Sequence, residues 1–278
     1  MLTIHDHRRD QAGLIYVYPV VSRRAGGVSI GINLNPNNAC NWACSYCQVE
    51  GLVRGGPPPI DLALLGRELT QLLSDVLQGE FMVREVPEPF RVLKDVAFSG
   101  NGEPTSAAEF ESAVGLVLEV LEGFGLSGKL PLRLITNGSL MHRETVQRGV
   151  ARLGAAGGEV WFKVDRVTPE GMLAVNGVPL DRNSLFRRLD RCTDLATTWV
   201  QTCWFATSGE APSALEAQAY IDFLTPLAGC LAGIHLYGVA RPSMQPGGER
   251  LSPLAAAEMK KFADEVQKAT GLTVRLAP

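Results

Sequence analysis

The sequence lacks a long apolar stretch. No hydrophobic run approaches the roughly 18 residues that a membrane-spanning helix needs, and the richest segment, residues 113–121, is interrupted by Glu119. The first ten residues, MLTIHDHRRD, are too polar for the apolar region of a signal peptide. We therefore expect a cytoplasmic protein without a membrane segment.

The chain also lacks an excess of charge of either sign. Its 278 residues include 26 Lys and Arg against 29 Asp and Glu, which gives a net charge of −3. This balance disfavours a strongly basic nucleic-acid-binding protein, although a local basic patch remains compatible with it. The 29 Gly and 17 Pro are too few for a collagen-like or low-complexity chain, and 46% hydrophobic residues are enough to form a core. The length suits one large α/β domain or two small ones.

Short apolar segments alternate with amphipathic segments along the chain. Strand-like segments rich in Val, Ile, Thr and aromatic residues occupy 27–34, 92–99, 132–137, 159–165, 198–205 and 234–239. Helical periodicity occupies 60–77, 107–124, 143–153, 181–195, 214–227 and 252–270, with Asp61 as the expected N-cap of the first helix. Six such units in a row predict an α/β fold with parallel strands, either an open (β/α)6 barrel or a doubly wound sheet. In both folds the functional residues lie at the C-terminal ends of the strands.

Three of the six cysteines lie within eight residues of one another. Cys40, Cys44 and Cys47 follow the first strand in the segment NLNPNNACNWACSYC. Three thiolates in so short a loop can wrap one metal centre, and we expect the loop to bring their sulfurs to one point. Iron–sulfur clusters are usually held by four cysteines, so a cluster held by three leaves one iron with an open position. A small molecule with an amine and a carboxylate could chelate that iron.

Other interpretations of these cysteines are open at this point. They could be buried small hydrophobic residues, although the segment is rich in Asn rather than apolar residues. A redox dithiol at Cys44 and Cys47 has a suitable spacing but leaves Cys40 unexplained. They could bind zinc together with a distant histidine, but none of the four histidines has zinc-finger spacing to them: His5, His7, His142 and His235.

The segment CNWACSYC resembles the C-x3-C-aromatic-C motif of the radical SAM superfamily, with Tyr46 as the aromatic residue. The resemblance implies that Cys40, Cys44 and Cys47 bind a [4Fe–4S] cluster and that S-adenosylmethionine (SAM) chelates the fourth iron. One electron from the reduced cluster would cleave the carbon–sulfur bond of SAM, which gives methionine and a 5′-deoxyadenosyl radical that abstracts hydrogen from a substrate. The implied fold is the partial (β/α)6 barrel. We expect a single domain with an N-terminal extension (1–26), a barrel core (27–242) and a C-terminal loop and helix (243–278).

The segment FSGNGEPT, directly after the second strand, resembles the Gly-Gly-Glu motif of the same superfamily. It has the GEP form at Gly102, Glu103 and Pro104, with Asn101 in place of the first glycine of the commonest version. Glycine lets the backbone approach a ligand closely. The resemblance implies that Glu103 holds the SAM amino group as a counter-charge and hydrogen-bond acceptor. The alternative is an ordinary Gly-Asn-Gly turn, which the position after a strand disfavours.

The third and fourth strands end in further candidate residues. The third ends in ITNGSL, and a TNG sequence that includes Asn137 is usual at this place in the superfamily. In the fourth strand, alternation places Trp161, Lys163 and Asp165 on one face. The resemblance implies that Lys163 and Asp165 contact the carboxylate or ribose of SAM, and a structural ion pair is the alternative.

The last two strands carry polar side chains on one face. Gln201, Cys203 and Phe205 share a face of the fifth strand, and His235 and Tyr237 share a face of the sixth, with Arg241 following. We assign Gln201 and Tyr237 to the cofactor site, where this face could also line the substrate side. Cys203 is interpreted as a core residue and His235 as a structural histidine.

Two other patterns are set aside. Gly247, Gly248 and Glu249 spell the superfamily motif literally, but they follow the last strand in a Pro- and Gly-rich segment that we predict to be a surface loop or a lid over the barrel mouth. His5 and His7, followed by two arginines, are interpreted as part of a polar N-terminal arm.

Taken together, FSGNGEPT, TNGSL and the Lys-x-Asp strand end are most similar to the compact branch related to wybutosine synthesis and other short iron–sulfur oxidoreductases. The remaining cysteines are too widely spaced for a second cluster, and no cysteine precedes Cys40, whereas the wybutosine enzyme carries an additional cluster upstream. We therefore expect neither an auxiliary-cluster domain nor that tRNA reaction.

The resemblance implies an external one-electron donor, of the flavodoxin or ferredoxin type, because no internal redox domain is recognisable. The substrate could be a small molecule or a peptide, and RNA is disfavoured by the charge. Two other classes of protein remain as alternatives. One is an electron-transfer iron–sulfur protein without SAM chemistry, and the other is a zinc-binding structural module.

Overall fold

A computed structural model describes residues 2, 13–22 and 26–277. His5 and His7 of the expected N-terminal arm lie outside the described residues. The strands are β1 (Val17–Ser22), β2 (Gly27–Ile32), β3 (Ala39–Cys40), β4 (Val53–Arg54), β5 (Leu93–Phe98), β6 (Leu132–Thr136), β7 (Glu159–Lys163), β8 (Thr197–Cys203), β9 (Ala206–Thr207), β10 (Gly233–Tyr237), β11 (Leu251–Ser252) and β12 (Val274–Ala277). The α-helices are α1 (Leu62–Gln78), α2 (Phe81–Glu85), α3 (Phe110–Gly123), α4 (Glu144–Ala155), α5 (Pro169–Asn176), α6 (Arg182–Leu195), α7 (Ala214–Leu224) and α8 (Ala256–Thr270).

Eight strands form one sheet in the order β1-β2-β5-β6-β7-β8-β10-β12. β1 pairs antiparallel with β2, and all the other neighbouring strands in this sheet are parallel. The sheet curls into a half barrel, with helices packed on its outer side. The partial (β/α)6 barrel predicted from the sequence is therefore confirmed, and its six strand–helix units occur in the predicted order.

The sequence analysis missed the two strands at the edges of the sheet, β1 and β12, and the short helices α2 and α5. β1 lies in the segment that the sequence assigns to an N-terminal extension. It contains Pro19, which cannot donate a backbone hydrogen bond and is therefore found on edge strands. Glu68 of α1 anchors the residues before β1, because its buried carboxylate accepts hydrogen bonds from the backbone of Ile15 (2.9 Å) and Tyr16 (2.8 Å).

The helices begin where their capping residues stand. Asp61 caps α1 as predicted, since its carboxylate accepts a hydrogen bond from the Leu64 N–H at 2.9 Å. The buried residues of α1 recur at helical spacing, and they face the sheet: Leu65, Leu69, Leu72, Leu73 and Val76. In the described part of the chain, no helix combines the length and the apolar character needed to cross a membrane.

The two faces of the curled sheet differ in composition. The outer face is apolar and packs against the helices to form the core, with fully buried side chains such as Ile30, Phe98, Leu134, Phe162 and Leu236. The inner face carries polar and aromatic side chains at the alternate positions, among them Asp95, Arg133, Trp161, Lys163 and Gln201. Because side chains alternate along a strand, the same segments build both the core and the wall of an internal cavity.

Candidate cofactor site

The inner face and the C-terminal ends of the parallel strands surround a cavity of about 300 Å³. Predicted site residues on its wall are Cys40, Cys44, Tyr46, Cys47, Asn101, Gly102, Glu103, Asn137, Lys163, Gln201 and Tyr237. Pro104 and Asp165 are buried but do not lie on this wall. The structure therefore brings together the three cysteines and most of the residues that the sequence assigns to the cofactor.

Asparagine side chains shape the cysteine loop, residues 33–47. The side chain of Asn33 accepts a hydrogen bond from the Asn35 N–H (3.1 Å), and the Asn35 amide donates to the Ala39 carbonyl (3.0 Å). Asn38 has a φ of 56°, in the left-handed region that asparagine tolerates better than most residues. The Asn-rich composition of the segment thus supplies the hydrogen bonds that an irregular, partly buried loop needs.

Two of the three sulfurs accept hydrogen bonds from the protein. The Trp42 N–H donates to Cys40 Sγ at 3.5 Å, and the Asn176 amide donates to Cys44 Sγ at 3.7 Å. Burial raises the pKa of Cys40 to about 11 and that of Cys44 to about 12. Burial disfavours the thiolate, so a bound cationic centre would have to supply most of its stabilisation.

The three cysteines lie on the wall of one cavity. Within residues 2, 13–22 and 26–277, no group of three or more His, Cys, Asp or Glu side chains is arranged to hold a single metal ion. In a cubane cluster each cysteine binds a different iron, so three sulfurs around one cavity suit a cluster without meeting at a point.

The second motif packs directly against the cysteine loop. A Cβ atom on Gly102 would lie 2.1 Å from the Ala39 carbonyl oxygen, so only glycine fits at this approach. Asn101, next to it, donates its backbone N–H to the side chain of Asn33 (3.1 Å) and its amide to the side chain of Asn38 (2.6 Å). The sequence predicts a close approach of Gly102 to a ligand, and the close approach that is observed joins two loops of the protein.

Glu103 is a buried carboxylate whose hydrogen-bond donors are all neutral. Its side chain is 2% exposed, and Oε1 accepts hydrogen bonds from the Thr105 N–H (3.1 Å) and from the hydroxyls of Thr105 and Thr136 (both 2.6 Å). Oε2 accepts one from the Asn137 N–H at 2.7 Å. Burial raises the pKa of Glu103, and these hydrogen bonds oppose the shift. No Lys, Arg or His in the described part of the chain forms an ion pair with it, so its charge is available to a cationic ligand in the cavity.

Asn137 joins the end of β6 to the cysteine loop. Its amide donates to the side chain of Asn41 at 2.9 Å, and its side-chain oxygen accepts from the Ser139 N–H at 3.0 Å. Asn41 in turn donates to the Ser139 hydroxyl at 2.7 Å. The TNG segment therefore holds the residue next to Cys40 against the strand end.

Lys163 stands between two tyrosines at the end of β7. Its ammonium lies 4.8 Å from the centre of the Tyr46 ring and donates to the Tyr237 hydroxyl at 3.5 Å. Burial lowers the pKa of Lys163, but nearby acidic groups, first Tyr237 and then Asp165, raise it above its usual value. Lys163 is therefore a positive charge on the wall of the cavity.

Asp165 lies behind that wall. It is 1% exposed and accepts hydrogen bonds from the Tyr46 hydroxyl (2.6 Å), the Asn176 amide (2.9 Å) and the Cys203 N–H (2.8 Å). Its carboxylate thus links the cysteine loop, α5 and β8. Its position behind the wall favours a structural role, and the contact of Asp165 with the cofactor stays a prediction.

Gln201 offers an amide to the cavity. Its side chain is 2% exposed, lies on the cavity wall and makes no hydrogen bond to any residue that the structure describes. Tyr237 and Arg241 lie on the same wall, as the sequence analysis expects for that face. His235 is buried between the rings of Trp161 and Trp199, at centroid distances of 4.3 and 4.8 Å, which suits the structural interpretation.

The sequence analysis missed the polar floor of the cavity. Arg133 forms an ion pair with Asp95 and donates Nε to Glu159 at 3.1 Å, and the Ser29 hydroxyl donates to Asp95. The signal was present, because Arg133 shares the inward face of its strand with Asn137 at alternate positions.

The segment after β10 packs on the cysteine loop from outside the sheet. Ser243 donates its hydroxyl to the carbonyls of Ser45 (2.6 Å) and Cys47 (3.1 Å), and Gln245 donates its amide to the Val49 carbonyl (2.8 Å). The segment predicted as a surface loop or lid is therefore bonded to the backbone next to Cys47.

Comparisons with curated proteins give partial matches. No protein-family model matches the chain. It is 30% identical over 156 residues to UPF0026 protein MJ1312 of Methanocaldococcus jannaschii, which covers 54% of this chain and 40% of that protein. It is 26% identical over 133 residues to the GTPase Obg of Brachyspira hyodysenteriae, which covers 46% of this chain and 16% of that protein. The matches span less than half of either relative, so neither name transfers an activity.

Solved structures match over most of the chain. A radical SAM methyltransferase from Sphaerobacter thermophilus has a TM-score of 0.59 at 16% identity, and the match covers 90% of this chain and 66% of that one. The protein anSMEcpe with bound AdoMet has a TM-score of 0.53 at 18% identity, covering 89% and 63% of the two chains. The FeFe-hydrogenase maturase HydG from Carboxydothermus hydrogenoformans has a TM-score of 0.52 at 13% identity, covering 89% and 53%. The branch within the superfamily stays a prediction, and the chain has the radical SAM fold that its cysteine motif predicts.

Proposed function

We propose that the protein is a radical SAM enzyme that binds a [4Fe–4S] cluster through Cys40, Cys44 and Cys47. One observation carries the proposal: three thiols and a buried carboxylate face the same cavity, and among the described residues that carboxylate has no cationic partner. Thiols are the usual ligands of iron–sulfur clusters, and an unpaired buried carboxylate suits an ammonium ligand. The residues present therefore fit both the cluster and the amino group of SAM.

The other wall residues fit the rest of the SAM molecule. Lys163 supplies a positive charge for a carboxylate, and Gln201 supplies an amide that no residue described by the structure hydrogen-bonds. Asn137 and Tyr237 add polar groups at neighbouring strand ends. When bound, the cluster would supply the electron that cleaves the carbon–sulfur bond of SAM, and the chain would orient SAM and shield the site from water.

The reductant and substrate are proposed only as classes. We propose an external one-electron donor of the flavodoxin or ferredoxin type. The substrate is a small molecule or a peptide, and RNA is disfavoured by the net charge of −3. In the cavity, the substrate would lie against the polar floor formed by Asp95 and Arg133.

The test is an anaerobic assay on protein purified without air. Iron and acid-labile sulfide are measured first, and the protein is then incubated with SAM and dithionite. Formation of 5′-deoxyadenosine supports the enzyme. A fully loaded cluster that yields none supports an electron-transfer protein, and zinc without labile sulfide supports a structural zinc module.

A cysteine variant separates the first two outcomes. An electron-transfer cluster needs a fourth ligand, and Cys203, at the end of β8, is buried beside the site. Under the proposal, the Cys203→Ala protein retains its iron and still forms 5′-deoxyadenosine. Loss of iron from this variant while its fold is retained would identify Cys203 as a ligand and contradict the proposal.

A further inference from the structure

The end of α5 is bonded to the cysteine loop on both sides of Cys44. The Ala43 N–H donates to the Asn176 carbonyl (3.0 Å), and the Ser45 N–H donates to the Val175 carbonyl (2.8 Å). Gly177, which ends the helix at a φ of 67°, approaches so closely that a Cβ atom would lie 2.5 Å from the Ala43 carbonyl oxygen. The position of Cys44 is therefore fixed by a helix distant in sequence.

The side chain of Asn176 completes this contact. It is 1% exposed, and its amide nitrogen donates to Asp165 Oδ2 at 2.9 Å and to Cys44 Sγ at 3.7 Å. One amide NH2 has two hydrogens, so both bonds can form at once. The bond to Asp165 orients the amide, and that orientation directs the second hydrogen at the sulfur.

The three cysteines differ in this respect. Cys40 Sγ accepts from a backbone N–H, that of Trp42, which no substitution at that residue other than proline removes. Cys47 Sγ accepts no hydrogen bond from any residue in the described part of the chain. Cys44 alone accepts from a side chain, so its hydrogen bond can be deleted by substitution.

We propose that Asn176 is a positioning residue that sets the reduction potential of the cluster through its N–H···S hydrogen bond to Cys44. The inference rests on the proposed function only in that Cys44 binds the cluster. Reduction adds one electron, which increases the negative charge on the cysteine sulfurs. An N–H donor stabilises that charge, so it favours the reduced cluster and raises the potential.

The test is a redox titration of the reconstituted holoprotein without SAM. Dithionite donates one electron to the oxidised cluster, and the reduced state is followed by electron paramagnetic resonance. For Asn176→Ala we expect a more negative midpoint potential, equivalent to a roughly tenfold smaller equilibrium constant for reduction, or about 59 mV for a one-electron couple. A loaded variant with the wild-type midpoint overturns the proposal.

Tyr46→Phe is the matched control. It removes a different hydrogen bond to Asp165 and leaves the amide contact with Cys44 in place. We expect its midpoint to stay within a threefold change of the wild-type equilibrium constant. An equal shift in both variants would assign the effect to loosening around Asp165 and would contradict a role for the N–H···S bond.

Two more variants address the case in which Asn176→Ala does not bind a cluster. Asn176→Leu keeps approximately the volume and lacks the donor, and Asn176→Gln keeps an amide. If Ala and Leu fold but bind no iron while Gln does, the amide is required for cluster binding rather than for the potential, and the proposal fails. If all three fold and bind no iron, the shape of asparagine matters rather than its N–H, and the proposal fails. A wild-type protein without a cluster would instead overturn the proposed function.

Discussion

Two buried carboxylates flank the cysteine loop, and their surroundings differ. Glu103 is 2% exposed and lies on the cavity wall, and its hydrogen-bond donors among the described residues are neutral threonine and backbone groups. Asp165 is 1% exposed, accepts from Tyr46, Asn176 and the backbone of Cys203, and lies behind the wall. The two residues are equally buried, but only Glu103 reaches the space where a ligand would bind.

The difference shows that burial alone does not indicate the role of a carboxylate. A buried carboxylate is costly unless it is paired, and each of these is stabilised in a different way. Asp165 accepts its hydrogen bonds from three elements of the protein, which favours a structural role over a contact with SAM. Glu103 lies on the cavity wall and forms no ion pair with a Lys, Arg or His among the described residues, which suits a cationic ligand.

The cysteine loop lies between the surroundings of Glu103 and those of Asp165. The charge of Glu103 acts on Cys40 and that of Asp165 acts on Cys44, whereas Lys163 acts on both cysteines. The comparison therefore assigns one cysteine to each side, and both are required if a single cluster bridges them.

The largest expected effect is the loss of the cluster on removal of either cysteine. We expect Cys40→Ala and Cys44→Ala to lose essentially all cluster iron while circular dichroism and unfolding midpoints change little. The physical reason is that two thiolates cannot retain a cubane that already lacks a fourth protein ligand. Iron and labile sulfide per chain are the measurement, with the exposed Cys230→Ala as the control that keeps its iron. Full iron in either variant contradicts the ligand assignment.

Asp165→Ala should give the largest loss of stability. The substitution leaves buried donors of Tyr46, Asn176 and Cys203 without their acceptor. We expect the free energy of unfolding to fall by about 3 kcal/mol, since each unsatisfied buried donor costs about 1–3 kcal/mol and some relax or find water. Urea unfolding measures the change, and the exposed Asp190→Ala should stay within about 0.5 kcal/mol. A change below about 1 kcal/mol would assign Asp165 no structural role.

The sequence predicted the repeating part of the fold because it has local signals. The period of apolar residues and the capping residue Asp61 located the six strand–helix units. β1 was missed because Pro19 and Tyr18 obscure its alternation and because it pairs only at the edge of the sheet. α5 was missed because its eight residues are too few for a clear helical period.

The sequence grouped the residues on the cavity wall but did not distinguish their roles. Glu103 and Asp165 both follow strands, and no pattern states which carboxylate finds its donors inside the protein. Asn176 gave no signal, because it lies 129 positions after Cys47 and its contact with Cys44 depends on tertiary packing. Such long-range hydrogen bonds are set by the fold, and only the alternation that placed Lys163 and Gln201 could be read in advance.

Glu103→Gln tests whether Glu103 contributes to SAM binding. The variant keeps the shape and most hydrogen bonds but removes the charge, so we expect SAM binding to the holoprotein to weaken by about tenfold or more. The free energy of unfolding should change by only about 1 kcal/mol, because one backbone donor, that of Asn137, loses its anionic acceptor. Equilibrium dialysis with labelled SAM is the measurement, and the exposed Glu122→Gln is the control. Unchanged affinity would remove Glu103 from the SAM site.

Tyr46→Phe should lower the free energy of unfolding less than Asp165→Ala does. It deletes one of the three hydrogen bonds to that carboxylate and leaves the ring against Lys163 and Phe205. We expect the free energy of unfolding to fall by about 1 kcal/mol, the usual value for one buried hydrogen bond. Chemical denaturation of wild type and variant at equal cluster content gives the difference. If Tyr46→Phe lowered the free energy of unfolding as much as Asp165→Ala, the hydrogen bond from Tyr46 would account for the whole contribution of Asp165.

The smallest expected effect is in the pH dependence of stability. Burial raises the pKa of Glu103 above its usual value of 4.5, so its ionisation costs free energy in the folded protein. The sign follows from linkage: as pH rises from that usual value through the raised one, the folded state loses stability that Glu103→Gln never had. The wild-type free energy of unfolding, minus that of Glu103→Gln, should therefore decrease over this range. The same difference for Glu111 should change in the opposite direction. A hydrogen bond from Arg148 lowers the pKa of Glu111, so its contribution to stability is lost as pH falls. Urea titrations of Glu103→Gln and Glu111→Gln from about pH 4 to 7 compare the two, and differences of the same sign would show that Glu103 does not ionise at a cost.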